Sequence, residues 1–158
     1  MIDFAKRKHP GRDPGPLVAC AALLLSFLPA MAQADAWADF QTRCVSALEN
    51  LVPPVVAGLD QGTRDGAVTR YALSGGRVLI VDRAPEDGIS ACAVRDPANA
   101  PVPGFDDWIG GAVSEGRYVP VAEGRWHSHL WIEPKLEVQK DSGADGLTLR
   151  IVETRLEA

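Results

Sequence analysis

Residues 68–82, "VTRYALSGGRVLIVD", decide the fold. Two β-prone runs flank Gly75-Gly76, the pattern of a hairpin closed by a two-residue turn. A third run, "ISACAVR" (89–95), follows the turn residues "APEDG". Residues 68–95 are therefore expected to form a three-stranded meander. Immediately upstream, "AWADFQTRCVSALENL" (36–51) sets Trp37, Phe40, Cys44, Ala47, Leu48 and Leu51 at helical spacing. Asp35 can cap that helix, Asp39 falls in its first turn, and Pro53-Pro54 stops it. Between helix and meander, "DQGTRDG" (60–66) reads as a turn-rich loop.

The second half of the chain repeats this order. Past the Pro-rich loop "DPANAPVPG" (96–104), Phe105, Trp108, Ile109, Ala112 and Val113 again follow the helical period. Asp106 and Asp107 sit in the first turn, where negative charge is favoured. Three more strands are expected near 125–132, 135–141 and 147–156, with turns at Glu133-Pro134 and "SGADG". The expected fold is α+β: an antiparallel sheet of about six strands in two meanders, with two amphipathic helices in the order α-β-β-β-α-β-β-β. Each half alone is small for an independent core, so a single domain is expected over 35–158.

The N-terminus reads as an export signal. Lys6, Arg7, Lys8 and Arg12 outweigh Asp3 and Asp13, an apolar run spans Leu17 to Leu28, and Ala32-Gln33-Ala34 satisfies the small-x-small cleavage rule. Cleavage is expected after Ala34, with Ala30-Met31-Ala32 as a second site. The apolar run is shorter than the roughly 20 residues that span a bilayer. Leu17-Val18-Ala19-Cys20 looks like a lipobox, but it precedes the apolar core instead of following it. The expected location is periplasmic or secreted.

Removing residues 1–34 from the 158 leaves 124, with 12 Lys and Arg against 19 Asp and Glu, a net charge of −7. That balance argues against binding nucleic acid or an anionic membrane. Cys44 and Cys92 remain after cleavage, and two cysteines in an exported domain are expected to pair. Closing that loop stabilises the domain by about 4 kcal/mol in the chain-entropy model.

Chemistry-bearing residues concentrate in "RWHSHLW" (125–131). If Ile132 pairs with Leu136, Trp126, Leu130 and Ile132 face the core, while His127, His129 and Trp131 face outward across from Asp141, Gln139 and Glu137. His127, His129 and Asp141 are then candidate metal ligands for a metal-assisted hydrolase, with an open position for water. Nothing resembles His-Glu-x-x-His, and two histidines on a polar sheet face are ordinarily just solvated. The same face, with Trp131, His127, His129, Glu137 and Gln139, is a candidate interaction surface. "LSGGR" (73–77) lacks the lysine and strand-to-helix context of a phosphate loop, and neither Gly-x-Ser-x-Gly nor Cys-x-x-Cys occurs.

No catalytic residue and no cofactor emerge. The functional expectation is a binding, accessory or inhibitor-type module whose partner is another envelope or secreted protein, rather than an enzyme. N-terminal sequencing of the exported protein should read from Asp35. Thiol titration of that protein after unfolding should find no free cysteine. A start at Met1, a lipid on Cys20, or two titratable thiols would refute these expectations.

Overall fold

The computed structural model describes residues 35–84, 89–129, 132 and 135–154. The expected export signal, the Glu133-Pro134 turn, Leu130 and Trp131 lie outside the described residues. The fold is α+β, with one antiparallel sheet of eight strands rather than about six and two helices. The first helix, α1, runs through three consecutive pieces: Ala36–Phe40, a wide π-helical turn Gln41–Val45, and Ser46–Glu49. Four strands follow: β1 Thr63–Asp65, β2 Val68–Ala72, β3 Val78–Ala84 and β4 Ile89–Asp96. The second helix, α2, spans Pro103–Ser114. Four more strands complete the order: β5 Tyr118–Ala122, β6 Arg125–Ser128, β7 Leu136–Gly143 and β8 Gly146–Glu153.

The sheet runs β1-β2-β3-β4-β8-β7-β6-β5. Each half is a four-stranded meander, and the two meanders join where β4 pairs antiparallel with β8. Both helices cover the same face. Leu79 and Val81 of β3, Cys92 and Val94 of β4, Leu136 and Val138 of β7, and Leu147, Leu149 and Ile151 of β8 point into it, all essentially buried. The halves echo each other in sequence once the elements are aligned. Phe40, Cys44, Ala47 and Leu48 of α1 recur at the same spacing as Phe105, Ile109, Ala112 and Val113 of α2. Likewise Leu79, Val81, Cys92 and Val94 recur as Leu136, Val138, Leu149 and Ile151.

The two additional strands lie at the sheet's edges. Thr63–Asp65, read above as loop, pairs with Val68–Arg70 around the two-residue turn Gly66-Ala67. At the other edge, β5 carries Pro120 and an irregularity at Val121, with Val119 and Val121 exposed. The Gly75-Gly76 turn is also longer than expected. Leu73 and Arg77 close the hairpin through Leu73 N–H to Arg77 O (2.9 Å), leaving Ser74, Gly75 and Gly76 in a short 3-10 turn.

Asp35 caps α1 as expected, accepting from Ala38 N–H at 2.7 Å. The π-turn was not legible in the period. There Ser46 N–H reaches Gln41 O five residues back, and the extra width brings Val45 as well as Cys44 into the core. Leu51, expected on the apolar stripe, is instead 69% exposed. The helix ends at Glu49, and Leu51 takes up φ 57°, the left-handed conformation that reverses the chain. Val52 N–H then bonds Ala47 O and Leu51 N–H bonds Leu48 O, an arrangement that ordinarily holds glycine at this position.

Two covalent or charged ties hold α1 to the first meander. Cys44 and Cys92 are at disulfide distance, 1.97 Å between sulfurs, linking the π-turn to β4 as the cysteine count implied. Asp39 accepts from Arg77 Nε at 3.1 Å, and Arg77 Nη2 also reaches Ser74 Oγ at 3.1 Å. Arg77 and Asp39 are nearly excluded from solvent, and Arg43 Nε lies 3.7 Å from the other Asp39 oxygen, so removal of Asp39 would leave the buried Arg77 charge uncompensated.

The helices meet each other through aromatic rings. Trp37 of α1 packs edge-on against Phe105 (5.8 Å) and obliquely against Trp108 (5.2 Å) of α2, and Phe105 touches Trp126 of β6 (5.7 Å). This closeness depends on Gly104. A Cβ there would fall inside the contact distance of the Trp37 indole.

Two substitutions should move stability in opposite directions. Gly104→Ala should destabilise the fold by about 1–2 kcal/mol through forced repacking of Trp37. Leu51→Gly should stabilise it by about 0.5–1 kcal/mol by relieving the left-handed strain of an exposed residue. Urea unfolding midpoints at constant slope test both.

Candidate functional site

With both helices on one side, the other face of the sheet has no described layer over it. The register lays out its side chains in rows. One row reads Val68, Asp82, Ala91, Val152, Glu137, His127 and Val119 across seven strands. The next reads Arg70, Ile80, Ala93, Arg150, Gln139 and Arg125. The β2-β3-β4 side is mostly aliphatic, with Val68, Ile80, Ala91 and Ala93 beside Asp82 and Arg70, and the β6-β7 side is polar.

His127 is the chemically distinctive member of the polar half. Its Nε2 lies 3.3 Å from Glu137 Oε2, and both side chains are partly buried. Gln139 Nε2 donates to Glu137 Oε1 at 2.7 Å. Arg125 Nη2 donates to Asp141 Oδ1 at 2.9 Å, and Arg125 Nε lies 3.9 Å from Glu137 Oε1. Arg125 therefore bridges the two carboxylates, and the cluster is a cross-strand network of alternating charge.

This arrangement corrects the expected register. His127 pairs with Glu137, not Asp141, and Arg125 pairs with Gln139. The reason is the length of the connection. β6 ends at Ser128, whose Oγ accepts from Leu136 N–H at 2.9 Å, so Ile132 does not pair with Leu136. The slip is an even number of residues, so His127 still faces outward and Trp126 still faces the helices.

His129 is not on the strand. Its N–H donates to Arg117 O at 2.8 Å, and its carbonyl accepts from Ile132 N–H at 2.8 Å, placing it in a turn beside the end of α2. The expected trio of His127, His129 and Asp141 is thus not assembled: Asp141 is held by Arg125, and His129 has left the face. Among the described residues no three His, Cys, Asp or Glu side chains are grouped to hold a metal ion. Trp131, the aromatic member of the candidate interaction face, is outside the described residues.

A second polar cluster was missed by sequence reading. Glu49, at the end of α1, accepts from the Tyr118 hydroxyl at 3.0 Å and from Arg117 Nη1 at 3.3 Å. Arg117 Nε also donates to Glu115 Oε2 at 2.8 Å. These contacts tie the helix end to β5 across a shallow cavity of about 270 Å³ that Asn50, Ile132 and Leu136 help to line. Burial, together with the negative Glu49, pushes the Tyr118 hydroxyl well above the ordinary tyrosine range. The hydrogen bond to Glu115, with the Glu49 charge, raises the Arg117 guanidinium. A phenol held this firmly protonated is a hydrogen-bond donor and not a base, so the cluster is a tie between elements.

Compared with models of known families, with curated proteins and with solved structures, the chain matches none. Its chemistry must be argued from its own geometry.

The raised Tyr118 fixes a pH dependence. The unfolded chain ionises near pH 10 while the folded chain stays protonated, so this contribution is complete below pH 10 and declines above it, by about 1.4 kcal/mol per pH unit. Tyr118→Phe should cost about 1 kcal/mol at pH 7. It should also make the loss of stability between pH 10 and 11 shallower than in the parent protein. Parallel denaturant titrations at pH 7, 10 and 11 check both effects, and equal alkaline slopes would refute the assignment.

Proposed function

We propose that this is a small exported bacterial protein that works by binding, as an accessory factor or inhibitor-type module directed at another envelope or secreted protein. Export remains tied to the N-terminal reading. A cysteine pair at disulfide distance and the absence of a membrane-spanning helix among the described residues are compatible with an extracellular or periplasmic site.

The observation that carries the binding reading is the division of labour between the sheet's two faces. One face holds the helices and the whole core. The other presents an aliphatic half, including Val68, Ile80 and Val152, beside the paired charges of Arg125, His127, Glu137 and Asp141. Antiparallel sheets commonly leave one face to water. Here, however, that face mixes apolar area with charges already fixed by cross-strand pairing, which lowers the ordering cost of meeting a complementary surface. A broad sheet face suits a macromolecular partner. Arg70 and Arg150 stand in the row that crosses its middle.

Affinity capture from periplasmic extract under mild crosslinking tests this reading. The parent protein should retain a discrete partner. The double variant Arg70→Glu and Arg150→Glu, checked for an unchanged thermal midpoint, should lose at least tenfold of it. Recovery of nothing by the parent, or equal recovery by the variant, would overturn the proposal.

A further inference from the structure

A separate feature lies on the helix-covered side, where α1 does not reach. After α1 the chain crosses the first meander as an irregular segment, residues 52–62. Its start is anchored to α1 by Val55 N–H to Arg43 O (2.9 Å) and by Arg43 Nη1 to Val55 O (3.1 Å). At its end, Gly62 lets the backbone pass closely over the sheet. A Cβ at that position would lie 2.7 Å from the Tyr71 ring and 2.8 Å from Thr69. Between this segment, the β1–β2 hairpin and β3 lies a cleft of about 530 Å³. That volume is in the range that accommodates small organic ligands.

The lining is graded along the strands. Tyr71 and Val81 form the floor, and Val56 and Leu59 form the wall above them. Arg64 pairs with Thr69, which in turn pairs with Val81, so Arg64 stands on the same face two strands from Val81. Arg83 follows Val81 on that face, beside Ala67 (Arg83 N–H to Ala67 O, 3.2 Å). The register thus places apolar side chains toward α1 and two guanidiniums toward the outer end.

The described arginines fall into two electrostatic groups. Arg43, Arg70, Arg77, Arg117 and Arg125 each face a carboxylate. Among the described residues, no ion pair joins Arg64, Arg83, Arg95 or Arg150 to a carboxylate, and of these four only Arg64 and Arg83 line this cleft. Arg64 Nε is engaged by Gly66 O at 3.0 Å, which orients the guanidinium. Asp60, on the exposed rim, is the one acidic side chain in the lining, against two bases.

We infer that this cleft binds a small amphiphile: a single aliphatic or aromatic tail against the partly exposed Val56, Leu59 and Tyr71, with an anionic oxyacid head between Arg64 and Arg83. Guanidiniums bind carboxylate and phosphate alike through paired N–H donors. The head chemistry is therefore shared between a free acid and a phosphate ester. This site is independent of the open-face surface.

Four probes titrated into the purified protein, followed by NMR shifts of Tyr71 and Leu59, test the inference: octanoate, octyl phosphate, octanol and inorganic phosphate. Octanoate or octyl phosphate should bind at least tenfold more tightly than either octanol or inorganic phosphate, and the tighter of the two identifies the head group. Arg83→Gln, an exposed position that folding tolerates, should remove most of that advantage over octanol, and Arg64→Gln should do likewise. Absence of shifts at millimolar octanoate and octyl phosphate would overturn the inference. So would equal binding of octanol, equal binding of inorganic phosphate, or an Arg83→Gln variant that binds like the parent.

Discussion

The antiparallel seam between β4 and β8 is the constraint on which the rest depends. It joins two four-stranded meanders edge to edge, with Ala93 opposite Arg150 and Val94 opposite Leu149. Once the meanders share one sheet, their inward residues share one face. Both helices must then bury their apolar stripes on that side, because only there do Leu79, Val94, Val138 and Leu149 offer a hydrophobic surface. The aromatic contact of Trp37 with Phe105 and Trp108 follows from this. Two helices over a common face, one from each half, meet through these rings and need Gly104 to approach. The disulfide and the Asp39–Arg77 pair then fix α1 to its own meander.

The same seam sets what the protein can offer to others. Among the described residues all the layering is on one side, and on the opposite side cross-strand pairing organises the side chains. His127 is held by Glu137, Glu137 by Gln139, and Asp141 by Arg125. None of these groups is poised as an isolated acid, base or ligand. Each is engaged in a lateral network that presents charge in a fixed pattern. That fixed pattern is what the proposed binding role of the face rests on, and the proposed small-molecule cleft under residues 52–62 lies on the opposite side of the sheet.

Much of this was legible in the sequence, and the failures have physical causes. The long apolar runs gave β2, β3, β4, β7 and β8, because their alternation is set by burial against the helices. β1 was missed because Thr63–Asp65 is exposed throughout, so no period marks it; the Asp65-Gly66 pair was its only signal. β5 was missed because Pro120 argues against a central strand and is compatible only with an edge. The neighbours of His127 were misjudged because alternation reports faces and is blind to an even slip in register. Arg125, two residues before His127, shares its face by the same alternation and could have been named from it. The Glu49–Tyr118–Arg117 tie joins residues far apart in sequence, and no local pattern announces it.

The two borders of the sheet have a consequence of their own. A row of unsatisfied backbone N–H and C=O groups invites a further strand from another molecule. One border, β1, is three residues long and offers little to template. The other carries exposed Val119 and Val121, a sticky combination, yet Pro120 between them has no N–H and the strand is irregular at Val121. A recruited strand would find its ladder interrupted after a residue or two. Both borders of the eight-stranded sheet thus offer a poor template for a further strand, one by its shortness and its exposed Arg64 and Asp65, the other by its interrupted backbone.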